Sequence, residues 1–156
     1  IYAVGSFGFS FKDLILFGIG INITAGMGAL CFAWIDDLIG SKQTILISTT
    51  ALIFLSGSLL IIESVTLFWS FGLGLGIFIG PAQSASRSFM AQLAPPNMRT
   101  EMFGLFALSG KATAFLGPAL IALLTDVFTS QRAGMASILV FFILGAVLLL
   151  QVKDPH

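Results

Sequence analysis

Apolar runs long enough to cross a bilayer recur five times along the chain, each bounded by charged or turn-forming residues: Leu14–Ile35, Thr44–Ile62, Val65–Ala85, Phe103–Leu124 and Ala133–Val152. A helix of about 20 mostly apolar residues spans a hydrocarbon core of roughly 30 Å. Strands of a membrane barrel would instead alternate in polarity over about ten residues. Stretches such as Ile45-Leu46-Ile47 and Phe141-Phe142-Ile143-Leu144 do not alternate, so the pattern predicts helices. In the third run the helical pattern continues beyond bilayer length to Leu93, which predicts a helix over 65–93 with its end in water. Ile1–Phe9 is apolar but too short to span and reads as the last part of a further helix.

The connections between these runs are short, so sequential helices are expected to be antiparallel neighbours in an all-α, polytopic bundle. Ser10-Phe11-Lys12-Asp13 has the spacing of a capping box, with an acid where the helix dipole favours one. Glu63-Ser64 makes a tight turn, the Pro95-Pro96 pair a firm break, and Asp126–Gln131 the last loop.

Composition sharpens this picture: 57% of the 156 residues are hydrophobic and 9% are charged, with a mean hydropathy of +1.05. Soluble domains carry about 25% charged residues, so the natural solvent of this surface is lipid. Seven basic and seven acidic residues give no net charge, which excludes the basic field of a nucleic-acid binder. Cys31 is the single cysteine and His156 the single histidine, so no His/Cys cluster exists for zinc. Hydrolase and zinc-protease motifs are missing as well. Gly72-Leu73-Gly74-Leu75-Gly76 lies inside an apolar run, where it cannot cradle a phosphate. Neither an enzyme nor a cofactor or metal is expected.

Basic residues suggest an orientation, because cytoplasmic loops carry the excess of Lys and Arg. Lys42, Arg87, Arg99 and Lys153 fall on one side, Lys12 and Arg132 on the other. The first side, with the C-terminus, is therefore expected in the cytoplasm.

Polar positions inside the runs are the candidates for function. Lys111 follows Glu101 by ten residues and so lies about 15 Å along its helix. A charge at that depth is costly and usually faces a bundle interior or a watery pathway. Gly104, Ala107, Ala114 and Pro118 share its face, and most large apolar residues lie elsewhere. A cross-helix bond to backbone carbonyls is the plainer role for Lys111. Gly72, Gly76 and Gly80 repeat every four residues, a stripe for close helix packing. Gln83, Ser84 and Arg87 continue that stripe as it turns polar, although Arg87 also suits snorkelling to headgroups. Asn22, Thr24, Ser109 and Thr113 are weaker candidates, since such groups often bond to their own backbone.

Asp36-Asp37-Leu38-Ile39-Gly40-Ser41-Lys42 resembles the loop Gly-x-x-x-Asp-Arg-x-Gly-Arg-Arg/Lys of major facilitator superfamily (MFS) transporters. On this likeness Asp37, Gly40 and Lys42 are the motif residues of a gating loop, while Ala33, Leu38 and Ser41 depart from it. The stretches Gly80–Pro95, Glu101–Phe106 and Gly110–Pro118 resemble the vacuole-effluxer-like branch of that superfamily, over nearly the whole chain.

The resemblance implies that residues 1–156 form the C-terminal half, helices seven to twelve, with helix seven truncated at 1–9. Absence of an initiating Met fits that expectation. It implies a secondary transporter that moves a small solute, with amino-acid efflux as one option, by rocking two halves around a central site. Lys111, Gln83, Arg87 and Asn22 would then lie on the substrate or coupling pathway, and Gly104, Gly117 and Pro118 would join Gly72, Gly76 and Gly80 in helix packing. The implied partners are the bilayer, the missing N-terminal half and a small-molecule substrate. A bacterial inner (plasma) membrane is the expected location, and a non-transporting scaffold or receptor that kept the fold is the competing possibility.

Overall fold

The computed structural model describes residues 8–153, and five helices account for nearly all of them. They are α1 (Phe11–Ile39), α2 (Ser41–Ile61), α3 (Val65–Leu93), α4 (Arg99–Phe128) and α5 (Gln131–Gln151). Each is long and apolar enough to span a membrane. The architecture is an all-α bundle of membrane-length helices, as expected. Helices α1, α2 and α4 extend a few residues beyond their apolar runs, because the backbone ladder continues where side chains turn polar. The final connection shrinks to Thr129-Ser130. The short segment expected over 1–9 lies mostly outside the described residues, as does His156.

Start and stop signals are visible at the atomic level. Ser10 Oγ accepts the amide of Asp13 at 3.3 Å, and Asp13 Oδ2 accepts the amide of Ser10 at 3.0 Å, closing the capping box of α1. At the other end Gly40 takes φ +88°, a conformation that glycine adopts without a Cβ penalty, and α2 begins at the next residue. Helix α4 closes on Thr129 in the left-handed region, φ 48°.

Side-chain distribution departs from that of a soluble protein, with small polar residues inside and many large apolar ones outside. Ser41, Thr44, Ser48 and Ser137 are buried, while Phe11, Leu30, Trp34 and Leu38 are each about 80% exposed. Lipid tails solvate apolar side chains as well as protein does, so helices meet through small residues that permit close approach. Helix α3 sits between α1 and α2; α5 bridges α2 and α4, and α4 occupies the edge. A small aromatic core anchors the Ser10 end: Phe17 stacks on Phe68 at 5.4 Å between centroids and meets Trp69 edge-on at 5.2 Å.

Two polar ties fix opposite ends of the antiparallel bundle. Lys42 Nζ donates to the carbonyl of Val152 at 2.6 Å. Arg132 Nη2 lies 3.5 Å from Glu63 Oε1 across the other end. The end with Lys42 also holds Arg99 and Lys153 by topology, and is called the basic end below.

Candidate functional site

The loop at the basic end is built by the α1–α2 reversal. Gly40 donates its amide to the Asp36 carbonyl at 2.9 Å, and Thr44 Oγ1 donates back to the Gly40 carbonyl at 3.1 Å. The reversal carries Ser41 against α3, where Gln92 Nε2 donates to Ser41 Oγ at 3.4 Å. Beneath it lies a polar cavity of about 490 Å³, lined by Asp36, Asp37, Ser41, Ser88 and Gln92 among others.

The two adjacent acids part company here. Asp37, the motif aspartate on the sequence alignment, is exposed, while Asp36 Oδ1 is buried with no hydrogen-bond partner among the described residues. Neighbouring helix positions point about 100° apart, so only one of the pair turns inward. Lys42 uses its ammonium on Val152 rather than on either acid.

The glycine stripe of α3 meets α1. A Cβ at Gly72 would enter the Phe17 ring, one at Gly76 would strike Thr24 Oγ1, and one at Gly80 would strike the Ala25 carbonyl. Gly28 of α1 reciprocates, because a Cβ there would run into the Ile77 carbonyl. Beyond the stripe Gln83 and Arg87 are exposed, and Ser84 Oγ donates to the Pro81 carbonyl at 3.3 Å.

Helix α4 differs from the rest in burying no residue. Phe106, Leu120, Ile121 and Leu124 turn toward α5. Lys111 lies roughly 135° round the helix from that stripe. It is exposed, some 18 Å along the axis from Arg99, and makes no hydrogen bond or ion pair among the described residues. On the same helix Gly104 and Gly117 meet nothing within 4 Å, and Pro118 is exposed, so these three make no close helix contact here, unlike Gly72, Gly76 and Gly80. Asn22 is exposed on α1 and donates to the Gly18 carbonyl at 2.8 Å. Ser109 and Thr113 donate to the carbonyls of Phe106 and Ser109, each at 2.8 Å.

The structure thus gathers Asp37, Gly40 and Lys42 in one reversal and three glycines on one interface. No hydrogen bond or ion pair joins Lys111, Gln83, Arg87 and Asn22 to one another among the described residues. Asp36 and Gly28 were not singled out from sequence. The small-residue run Thr24-Ala25-Gly26-Met27-Gly28-Ala29 was a usable signal for Gly28; for Asp36 there was none beyond adjacency to Asp37. Among the described residues no three His, Cys, Asp or Glu side chains are placed to hold a metal.

Comparison with known proteins bears on the same geometry. The family described as "Vacuole effluxer Atg22 like" matches residues 1–156. Autophagy-related protein 22 of Cryptococcus neoformans var. neoformans serotype D (strain JEC21) is 37% identical over 68 residues, 44% of this chain and 12% of the relative. The uncharacterized MFS-type transporter YxiO of Bacillus subtilis is 29% identical over 92 residues, 59% of this chain and 22% of the relative. Autophagy-related protein 22-1 of Neosartorya fischeri is 31% identical over 84 residues, 53% of this chain and 14% of the relative. The matched stretches therefore take in less than a quarter of these relatives' own length. No solved structure matches. With a family match over every residue and a bundle of membrane-spanning helices, the chain belongs to the vacuole effluxer Atg22-like family of the major facilitator superfamily.

Proposed function

We propose that the chain is the C-terminal half, helices seven to twelve, of a secondary transporter that exports a small solute by alternating access, with amino acids as the substrate class. Transport moves the solute without changing it chemically, so the chain acts with no catalytic group. The observation that carries this reading is Lys111: a charged side chain deep in a spanning helix, on a face that no other described helix covers. Left against lipid such a group costs at least a few kcal/mol. A second half-transporter enclosing a watery pathway removes that cost and gives the lysine a substrate or coupling role.

In this reading Gln83, Arg87 and Asn22 line the same pathway, and all three are exposed in the described bundle. Asp37, Gly40 and Lys42 form the gating loop. The basic end faces the cytoplasm by the excess of Lys and Arg there, and in a bacterial cell the membrane is the inner one.

The test is counterflow of a labelled amino-acid and small-metabolite panel by the full-length protein in proteoliposomes, beside Lys111→Met. Saturable flux that falls at least about tenfold in the variant is expected, since methionine keeps the length of the side chain and removes the charge that the pathway uses. Failure of every solute to move, with the protein folded and inserted, overturns the reading in favour of a scaffold or receptor.

A further inference from the structure

A second cavity, of about 340 Å³, opens among α2, α3, α4 and α5 and is lined mainly by apolar side chains, including Ile45, Met90, Phe106, Phe141 and Leu149. From Leu149 to Phe141 it runs about 12 Å along α5, toward the middle of the membrane. Gly145 widens it, since a Cβ there meets nothing within 4 Å.

Three cations lie beyond the lining residues of this cavity toward the Lys42 end. Lys42 precedes Ile45 by three residues on α2, Arg99 precedes Phe106 by seven on α4, and Lys153 follows Leu149 by four at the end of α5. Those spacings put Lys42 and Arg99 on the same helical face as their lining residues, one or two turns further out, while Lys153 lies two residues beyond the last residue of α5. The bond from Lys42 to the Val152 carbonyl holds two of the three cation-bearing segments together and leaves the ammonium with further protons to donate. None of the three cations makes an ion pair among the described residues.

An apolar groove between α4 and α5 provides the contrast. It is lined by Leu120, Leu124 and Val140, and the nearby cation, Arg132, is engaged by Glu63. Of these two cavities, the first combines an apolar slot running inward with nearby cations that form no ion pair among the described residues.

We infer that this cavity is a binding site for an anionic phospholipid of the leaflet at the basic end, with one acyl chain in the slot and the phosphate among Lys42, Arg99 and Lys153. Basic clusters between spanning helices recognise anionic headgroups by charge. The site requires a membrane location alone and stands whether or not the protein transports.

The experiment uses the full-length protein in nanodiscs, with phosphatidylglycerol bearing a photoactivatable diazirine near the end of one acyl chain. Crosslinked peptides are mapped by mass spectrometry. Label concentrated on Phe141–Leu149 and Met90, displaced by unlabelled phosphatidylglycerol but not by phosphatidylcholine, is the expected result. Gly145→Leu should abolish that labelling by filling the slot. The Lys42→Gln, Lys153→Gln pair should weaken competition by at least about fivefold, the effect of about one headgroup charge contact. Label spread evenly over the exposed faces of α1 and α4 overturns the inference, as does equal competition by phosphatidylcholine. The mapping and competition on the unaltered protein decide the matter even if a variant fails to fold.

Discussion

The backbone carbonyl of Ile77 abuts the Cα of Gly28, so closely that no Cβ fits between them. Pro81 explains why this carbonyl is available: four residues on, where α3 would normally supply an amide to Ile77, proline has none. Glycine therefore brings one helix backbone within reach of a carbonyl that proline frees on the other, a geometry suited to a weak Cα–H···O contact.

Gly28→Ala should accordingly destabilise the bundle by about 2 kcal/mol or more, since backbone meets backbone and neither helix can yield locally. Gly26→Ala is the control: its Cβ meets nothing within 4 Å, and it should leave stability unchanged or raise it by up to about 1 kcal/mol through helix propensity. Reversible denaturant unfolding in mixed micelles measures both.

Thr129 holds a left-handed conformation at the end of α4, φ 48°, despite its branched Cβ. Thr129→Gly should stabilise the protein by roughly 1 kcal/mol by relieving that strain, partly offset by glycine's greater entropy when unfolded. A higher unfolding midpoint with an unchanged denaturant slope is the expected reading.

Asp36 and Asp37 should respond differently to the same isosteric change. Asp36→Asn replaces a buried oxygen that has no donor among the described residues, and an amide costs less to desolvate than a charge, so a gain of about 1 kcal/mol is expected at neutral pH. Asp37→Asn, on an exposed side chain, should stay within about 0.5 kcal/mol. Thermal unfolding of the two variants side by side makes the comparison.

Glu63 and Arg132 face each other at 3.5 Å with side chains 83% and 52% exposed. A double-mutant cycle on this pair should give a coupling below about 1 kcal/mol that shrinks as salt is raised. A larger, salt-insensitive coupling would show that the pair is shielded from water.

The helices were legible because a lipid-facing span must be both apolar and about 20 residues long, a requirement few other structures share. Their ends were less so: α1 starts at Phe11 and ends at Ile39, since capping and water can satisfy the terminal backbone groups after the apolar run stops. Glycine spacing marked Gly72, Gly76 and Gly80 as a packing face, and α1 does press against them. Gly104 shares a helical face with Lys111, yet it and Gly117 meet nothing in the described bundle. Spacing defines a face; what lies opposite it is tertiary information. Asp36 was hidden for a similar reason, because motif alignment weighs letters while a 100° step along α1 decides which acid turns inward.

Helix α4, with no buried residue of its own, has a consequence for biogenesis. During synthesis its place in the membrane rests on α5 and on whatever later covers its open flank, so it is among the last elements to become committed. An orphaned copy would display Lys111 to the acyl chains throughout that interval. Such an exposed intramembrane charge is a physical mark by which membrane proteases and chaperones can distinguish an unassembled bundle from a finished one.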